Sequence, residues 1–221
     1  MRSLLIVGCA LMLMPKMSSA QVKIELGVKG GLNISGLALS SDGKLVGAKY
    51  NNFTSFHGGA YGLFRLGKLA IQPEIIYSRQ GQNYTTPNYS NLRTDLNYIN
   101  VPLMLKYYPF GGVNLQVGPQ LGFLMSAKGD LVQVFSSGSL GQAVLNQDLK
   151  SYLNSTDFSI AFGAGVDLPL GINISFRYNY GLSNINKFSG GSSDTPSFSV
   201  AKTQNQVIQI SVGYRLRKIG K

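Results

Sequence analysis

The chain has 221 residues and a formal net charge of +11, from 20 Lys and Arg against 9 Asp and Glu. Charged residues make up only 13%, well below the roughly 25% of an ordinary globular domain, while glycine reaches 27 residues, Tyr 12 and Phe 11. The basic residues are scattered rather than gathered in a stripe, which argues against a nucleic-acid binder. Nor does any His, Cys or Asp cluster with metal-ligand spacing occur, so no metal or other cofactor is expected.

Residues 1–20, MRSLLIVGCALMLMPKMSSA, read as a secretory signal peptide. Arg2 is the positive start, Leu4 to Met14 the apolar core, and Ser18-Ser19-Ala20 the small-residue cleavage site. The apolar core is too short to span a bilayer as a helix. Acylation of Cys9 as a lipoprotein would leave only Leu4 to Gly8 ahead of it. On the cleavage reading, residues 21–221 form one domain without cysteine, hence without disulfides. Losing Arg2 and Lys16 takes 20 basic residues to 18, so against 9 acidic ones the mature charge is +9. Export argues further against nucleic acid as a partner.

Eight stretches then alternate apolar and polar residues with period two, the mark of strands with one apolar and one polar face. The first, 22–33, sets Val22, Ile24, Leu26, Val28 and Leu32 against Lys23, Glu25, Gly27, Lys29 and Asn33. The second, 55–66, sets Phe56, Ala60, Phe64 and Leu66 against His57, Tyr61, Leu63 and Arg65, and Gly67-Lys68 turns at once into the third, 69–81. Strands four and five form a hairpin over 96–128 that turns at Pro109–Gly112. In it Ile99, Val101, Leu103, Leu105 and Tyr107 oppose Tyr98, Asn100, Pro102, Met104, Lys106 and Tyr108. Val113 to Ala127 on the odd positions then oppose Asn114 to Lys128 on the even ones. Strand six covers 157–168, Pro169-Leu170-Gly171 turns, strand seven covers 172–184 and strand eight 204–216.

The connections alternate long and short throughout. The longest, 129–156, contains LGQAVLNQDLKSYL, whose Leu140, Val144, Leu145, Leu149 and Tyr152 predict a short helix over 140–153. The apolar faces run about the 9–11 residues that a tilted strand needs to cross a bilayer. The expectation is an all-β, eight-stranded antiparallel up-and-down transmembrane barrel, apolar side to lipid, polar side to the lumen, short turns and both termini in the periplasm. Closure would leave no backbone edge in lipid.

GVKGGLNIS, YINVPLMLKYYPFGGVNLQVGPQLGFLMSAK, DFSIAFGAGVDLPLGINISFRYNYGLSNI and VIQISVGYRL together resemble the PorT-like outer-membrane β-barrel proteins of Bacteroidota across nearly the whole mature chain. The resemblance implies fold and location. Most members of that family have no assigned activity, and one branch is tied to a protein secretion system.

Lys23, Glu25, Lys29, Arg65, Glu74, Lys106, Asp167, Arg177 and Arg215 fall on the lumen face. An eight-stranded barrel is just wide enough for side chains to fill, and buried charges must pair, so these are expected to form a polar network that plugs the lumen. A narrow anion-preferring pore is the functional alternative. The turn at Gly67-Lys68 sets Arg65 opposite Ala70 and Tyr61 opposite Glu74, so Glu74 should bond Tyr61 or a cation on a neighbouring strand. His57, with Ser55 on the same face, is expected as a polar rim residue, since no third acid is evident for hydrolysis. Aromatics at strand ends read as interfacial girdles. A non-enzymatic, monomeric barrel with a structural or surface-interaction role is expected, in contact with membrane lipid and with surface glycolipid or envelope proteins. A pore, a secretion accessory and a soluble lipocalin-like barrel are the alternatives.

Overall fold

The computed structural model describes residues 22–39, 48–134, 140–187 and 202–219. The expected signal peptide lies outside the described residues. Nine strands form among the described residues: β1 (Val22–Leu39), β2 (Lys49–Leu66), β3 (Leu69–Thr85), β4 (Leu92–Tyr107), β5 (Val113–Val134), β6 (Leu140–Asp148), β7 (Thr156–Asp167), β8 (Ile172–Gly181) and β9 (Thr203–Ile219). All their pairings are antiparallel. The order is β4-β3-β2-β1-β9-β8-β7-β5, and β4 also pairs with β5, so eight strands close a ring. The eight expected strands are therefore present as a ring, and β6 is a ninth outside it, paired among the described residues with β5 alone.

The two faces of the ring have opposite chemistry. Outward lie Leu32, Phe56, Ile75, Leu103, Leu121, Phe162, Phe176 and Val212, all exposed; inward lie Asn33, Glu74, Asn100, Asn114, Arg177 and Ser211, all buried. A soluble barrel that stores an apolar ligand has the reverse polarity. In water such an outer surface would be unstable, whereas in lipid it is the low-energy choice. Phe56 and Tyr77 pack outside, with ring centroids 6.0 Å apart, as do Phe162 and Tyr178 at 5.5 Å.

Strands outlast the alternation that announces them. β5 has 22 residues and β2 has 18, about twice what lipid requires. Tyr84 pairs with Leu92 and Lys49 with Thr85 well past the apolar bands. In water the outer face no longer needs apolar residues, so the period fades while the backbone ladder continues. The expected helix over 140–153 is not formed. Leu140–Asp148 is instead strand β6, with Val132 opposite Ala143, followed by a single helical turn at Lys150–Tyr152. The free edge of the long β5 offers this segment hydrogen bonds that outweigh its weak helical spacing. Asn146, in a left-handed conformation (φ 55°), also departs from a regular helix.

One register correction follows from a bulge. Tyr98 pairs with Leu124 but Asn97 with Ser126, so Met125 is the extra residue. Beyond it the faces exchange: Ala127 is buried and Lys128 exposed, the opposite of strict alternation.

Candidate functional site

The lumen holds the candidate residues, at three levels. At the centre, the Glu74 carboxylate on β3 receives a two-pronged bond from Arg177 on β8, Nη1 at 2.8 Å and Nη2 at 2.6 Å. Lys29 Nζ on β1 lies at 3.4 Å from the same carboxylate, and Gln72 Nε2 donates to it at 2.6 Å. Gln116 Oε1 accepts from Arg177 Nε at 2.8 Å, and Lys106 Nζ donates to Gln72 at 3.1 Å. The Glu74, Lys29 and Arg177 side chains are at most 3% exposed. Alternation on three separate strands aims them at one point, and the narrow ring brings them within contact. The expected register holds, with Tyr61 opposite Glu74 and Arg65 opposite Ala70. Glu74 nevertheless bonds neither Tyr61 nor a cation on an adjacent strand; its cationic partners come from β1, two strands away, and from β8 across the lumen. Tyr61 accepts instead from Asn173 Nδ2 at 2.9 Å.

At the short-turn end, Glu25 is shared by Lys23 (2.7 Å) and Arg215 (2.9 Å). Asp167 accepts the Tyr108 hydroxyl at 2.7 Å and lies 3.7 Å from Lys106. Arg65, half-exposed, stands apart from the buried charges expected to pair. It has no carboxylate partner among the described residues, and its guanidinium lies 3.7 Å over the ring of Tyr108.

Above the centre, His57 is only 3% exposed, not the rim residue expected, because β2 continues past it to Lys49. Its Nδ1 is 2.8 Å from Asn33 Oδ1 and its Nε2 2.8 Å from Ser211 Oγ. Asn33 Nδ2 donates to Arg79 O, Ser78 Oγ and Phe56 O, which fixes its amide oxygen toward the histidine. Nδ1 of the neutral ring therefore donates, and Nε2 accepts the Ser211 hydroxyl. The distances match a hydroxyl, a base and an orienting amide, but Asn33, His57 and Ser211 are all at most 3% exposed. They lock β1, β2 and β9 together. Ser55 is not part of this group; its hydroxyl donates to Arg79 O at 2.6 Å. Strand alternation alone gives no signal for Ser211, which is distant in sequence.

At the loop end an apolar seal replaces polar residues. Leu96, Tyr98, Leu124, Ala127, Leu149, Leu153 and Ile185 form one buried cluster. Leu149 and Leu153 flank the helical turn, and Leu153 bridges to Asn186, which ties this turn to the residues that follow β8. Beneath them Asp157 accepts from Ser183 Oγ at 2.5 Å and Asn205 Nδ2 at 2.8 Å. Leu149→Ala should cost about 2–5 kcal/mol of local stability by cavity formation. Faster proteolysis of the 140–153 segment, with the ring intact on gels, is the expected readout.

Residues 19–187 match the family described as outer membrane protein beta-barrel domain. The chain belongs to this family. Membership places the protein in the outer membrane and accords with the closed ring, its apolar exterior and its polar interior. Among solved structures, the chain is similar to Neisserial surface protein A at 13% identity, covering 86% of this chain and 97% of that one, with a TM-score of 0.48. Similarity extends to OprG from Pseudomonas aeruginosa (14%, 90% and 96%, TM-score 0.45). It extends also to Ail, the attachment invasion locus protein of Yersinia pestis (13%, 89% and 99%, TM-score 0.43). No curated protein matches the sequence.

Proposed function

We propose that this family member is a non-enzymatic, non-conducting, monomeric barrel that anchors an interaction surface on the cell exterior. The observation that carries the reading is the contrast between its two parts. Among the described residues the Glu74 cluster fills the lumen and the Leu149–Leu153–Ile185 cluster lies above it, which supports a reading without transport or substrate entry. The strands β2 to β6 meanwhile continue beyond the lipid band as a paired sheet. On that sheet Arg79 is clamped to Asp95, and Tyr84 donates to Asp130 O from a buried position that raises its phenol pKa. A sheet held this firmly is suited to presenting side chains to glycolipid or to other envelope proteins. The segments quoted above further support a place among the PorT-like barrels.

A cysteine at Leu145, 62% exposed on β6, tests the display. It should react with a membrane-impermeant maleimide on intact cells, while a cysteine at Lys68, in the short turn, should react only after permeabilisation. The reverse pattern would overturn the orientation and with it the proposal.

A further inference from the structure

The short-turn mouth of the barrel carries more positive charge than its own carboxylates match. Glu25 already takes both Lys23 and Arg215, and Asp167 takes Lys106 and the Tyr108 hydroxyl. Arg65, Lys68 and Lys218 then have no carboxylate among the described residues. Lys23 and Arg65 are also direct cross-strand partners. Like charges placed opposite each other cost stability, and of the two only Lys23 has a carboxylate, Glu25, among the described residues.

Arg65 is the most informative of these groups. Its Nε donates to Gly67 O at 2.9 Å and its plane lies over Tyr108. The two Nη atoms make no hydrogen bond among the described residues. A guanidinium held flat by an aromatic ring, with both terminal nitrogens free, is preorganised for a two-pronged bond to a carboxylate or phosphate. Nearby, a cleft of about 20 Å³ opens between Glu25, Tyr61, Lys106, Asp167, Asn173 and Arg215, room for a water molecule.

Register decides which way these cations face. Arg65 lies opposite the inward Ala70, and Lys218 opposite the inward Glu25. They therefore line the aqueous mouth. The outward positions at the same height are Leu66, Leu69, Tyr107 and Ile219, exposed apolar groups suited to lipid, together with the exposed Arg217, opposite the outward Leu26. A lipid headgroup would be met by outward cations such as Arg217, whereas Arg65 and Lys218 face a partner approaching along the barrel axis.

We propose that the periplasmic mouth is a docking site for an acidic peptide segment of a periplasmic protein, with Arg65 gripping a side-chain carboxylate and Lys68 and Lys218 adding charge around it. This goes beyond the reading of the exterior surface and rests on it only for the orientation, short turns to the periplasm, which the titration in detergent does not need.

The full chain, folded in zwitterionic detergent, would be titrated with a fluorescein-labelled deca-glutamate peptide and followed by anisotropy. Binding is expected at about 50 mM salt and should weaken by about tenfold or more at roughly 500 mM, since exposed charges are then screened. Arg65→Gln should weaken it further than Arg65→Lys. The doubly exposed K68Q/K218Q variant, which disturbs no packing, should weaken it by about threefold. The control K128Q/K150Q/K187Q, altered at the loop end, should bind as the parent does. Each variant is first shown to be folded by its gel mobility before boiling. Absence of binding at low salt would overturn the proposal, as would equal losses in the mouth and loop-end variants. Peptide binding untouched by the mouth variants, together with their loss of preference for phosphatidylglycerol over phosphatidylcholine vesicles, would overturn it in favour of a lipid headgroup.

Discussion

Glu74→Ala should destabilise the barrel by about 3–5 kcal/mol, because it strands Arg177 and Lys29 in the lumen without a counter-charge. Both cations are at most 3% exposed, so water cannot compensate them. Removing only the anion is worse than removing the whole group. Replacing Glu74, Arg177 and Lys29 together by Leu, Leu and Met should recover most of the loss, since a well-packed apolar set of similar volume is about as stable as a buried ion cluster. The measurement is the urea concentration at which the unheated, fast-migrating gel band disappears. A single variant as stable as the parent would show that the cluster contributes little, and would remove the electrostatic account of the filled lumen.

Gly31→Ala is the second large effect, and its neighbour is the control. A Cβ at Gly31 would fall 1.9 Å from Ile210 O and 2.8 Å from the Ser211 Cα, both backbone atoms. β1 and β9 would have to separate, and they carry the ring and the His57 network. A loss of about 3 kcal/mol or more is expected, at the upper end of overpacking costs. Gly30 faces lipid on the same strand, and a Cβ there meets nothing closer than His57 O at 3.5 Å. Gly30→Ala should change stability by less than about 0.5 kcal/mol. Adjacent residues of one type, with opposite outcomes, separate the demands of a tightly curved interior from the general weakness of glycine in strands. Equal effects at the two positions would contradict the inward and outward assignment of β1.

Alternation carried most of the fold. A strand between lipid and a polar lumen needs opposite chemistry on successive residues, so Ile99 to Tyr107 and their neighbours declare both faces at once. The same constraint placed Lys29, Glu74, Lys106 and Arg177 in the lumen and set Tyr61 opposite Glu74. Three things lay beyond it. Partners across the lumen depend on the stagger of the closed ring, so the choice of Arg177 over Tyr61 by Glu74 has no local sign in sequence. A bulge is a single extra residue, and Met125 looks like any other apolar position, yet it exchanges the faces at Ala127 and Lys128. Above the membrane both faces meet water or other strands, so β6 and the ends of β2, β3 and β5 lack the period that announces the rest. His57 reads as a rim residue for that last reason, whereas β2 begins at Lys49 and its position is interior.

Conductance tests the account most directly, because a filled and sealed lumen is its central claim. The purified, folded protein, inserted into a planar bilayer, should give no steady current at either polarity. Stable current steps that grow with salt concentration would contradict it, showing an ion path past Glu74 and through the Leu149–Leu153–Ile185 seal.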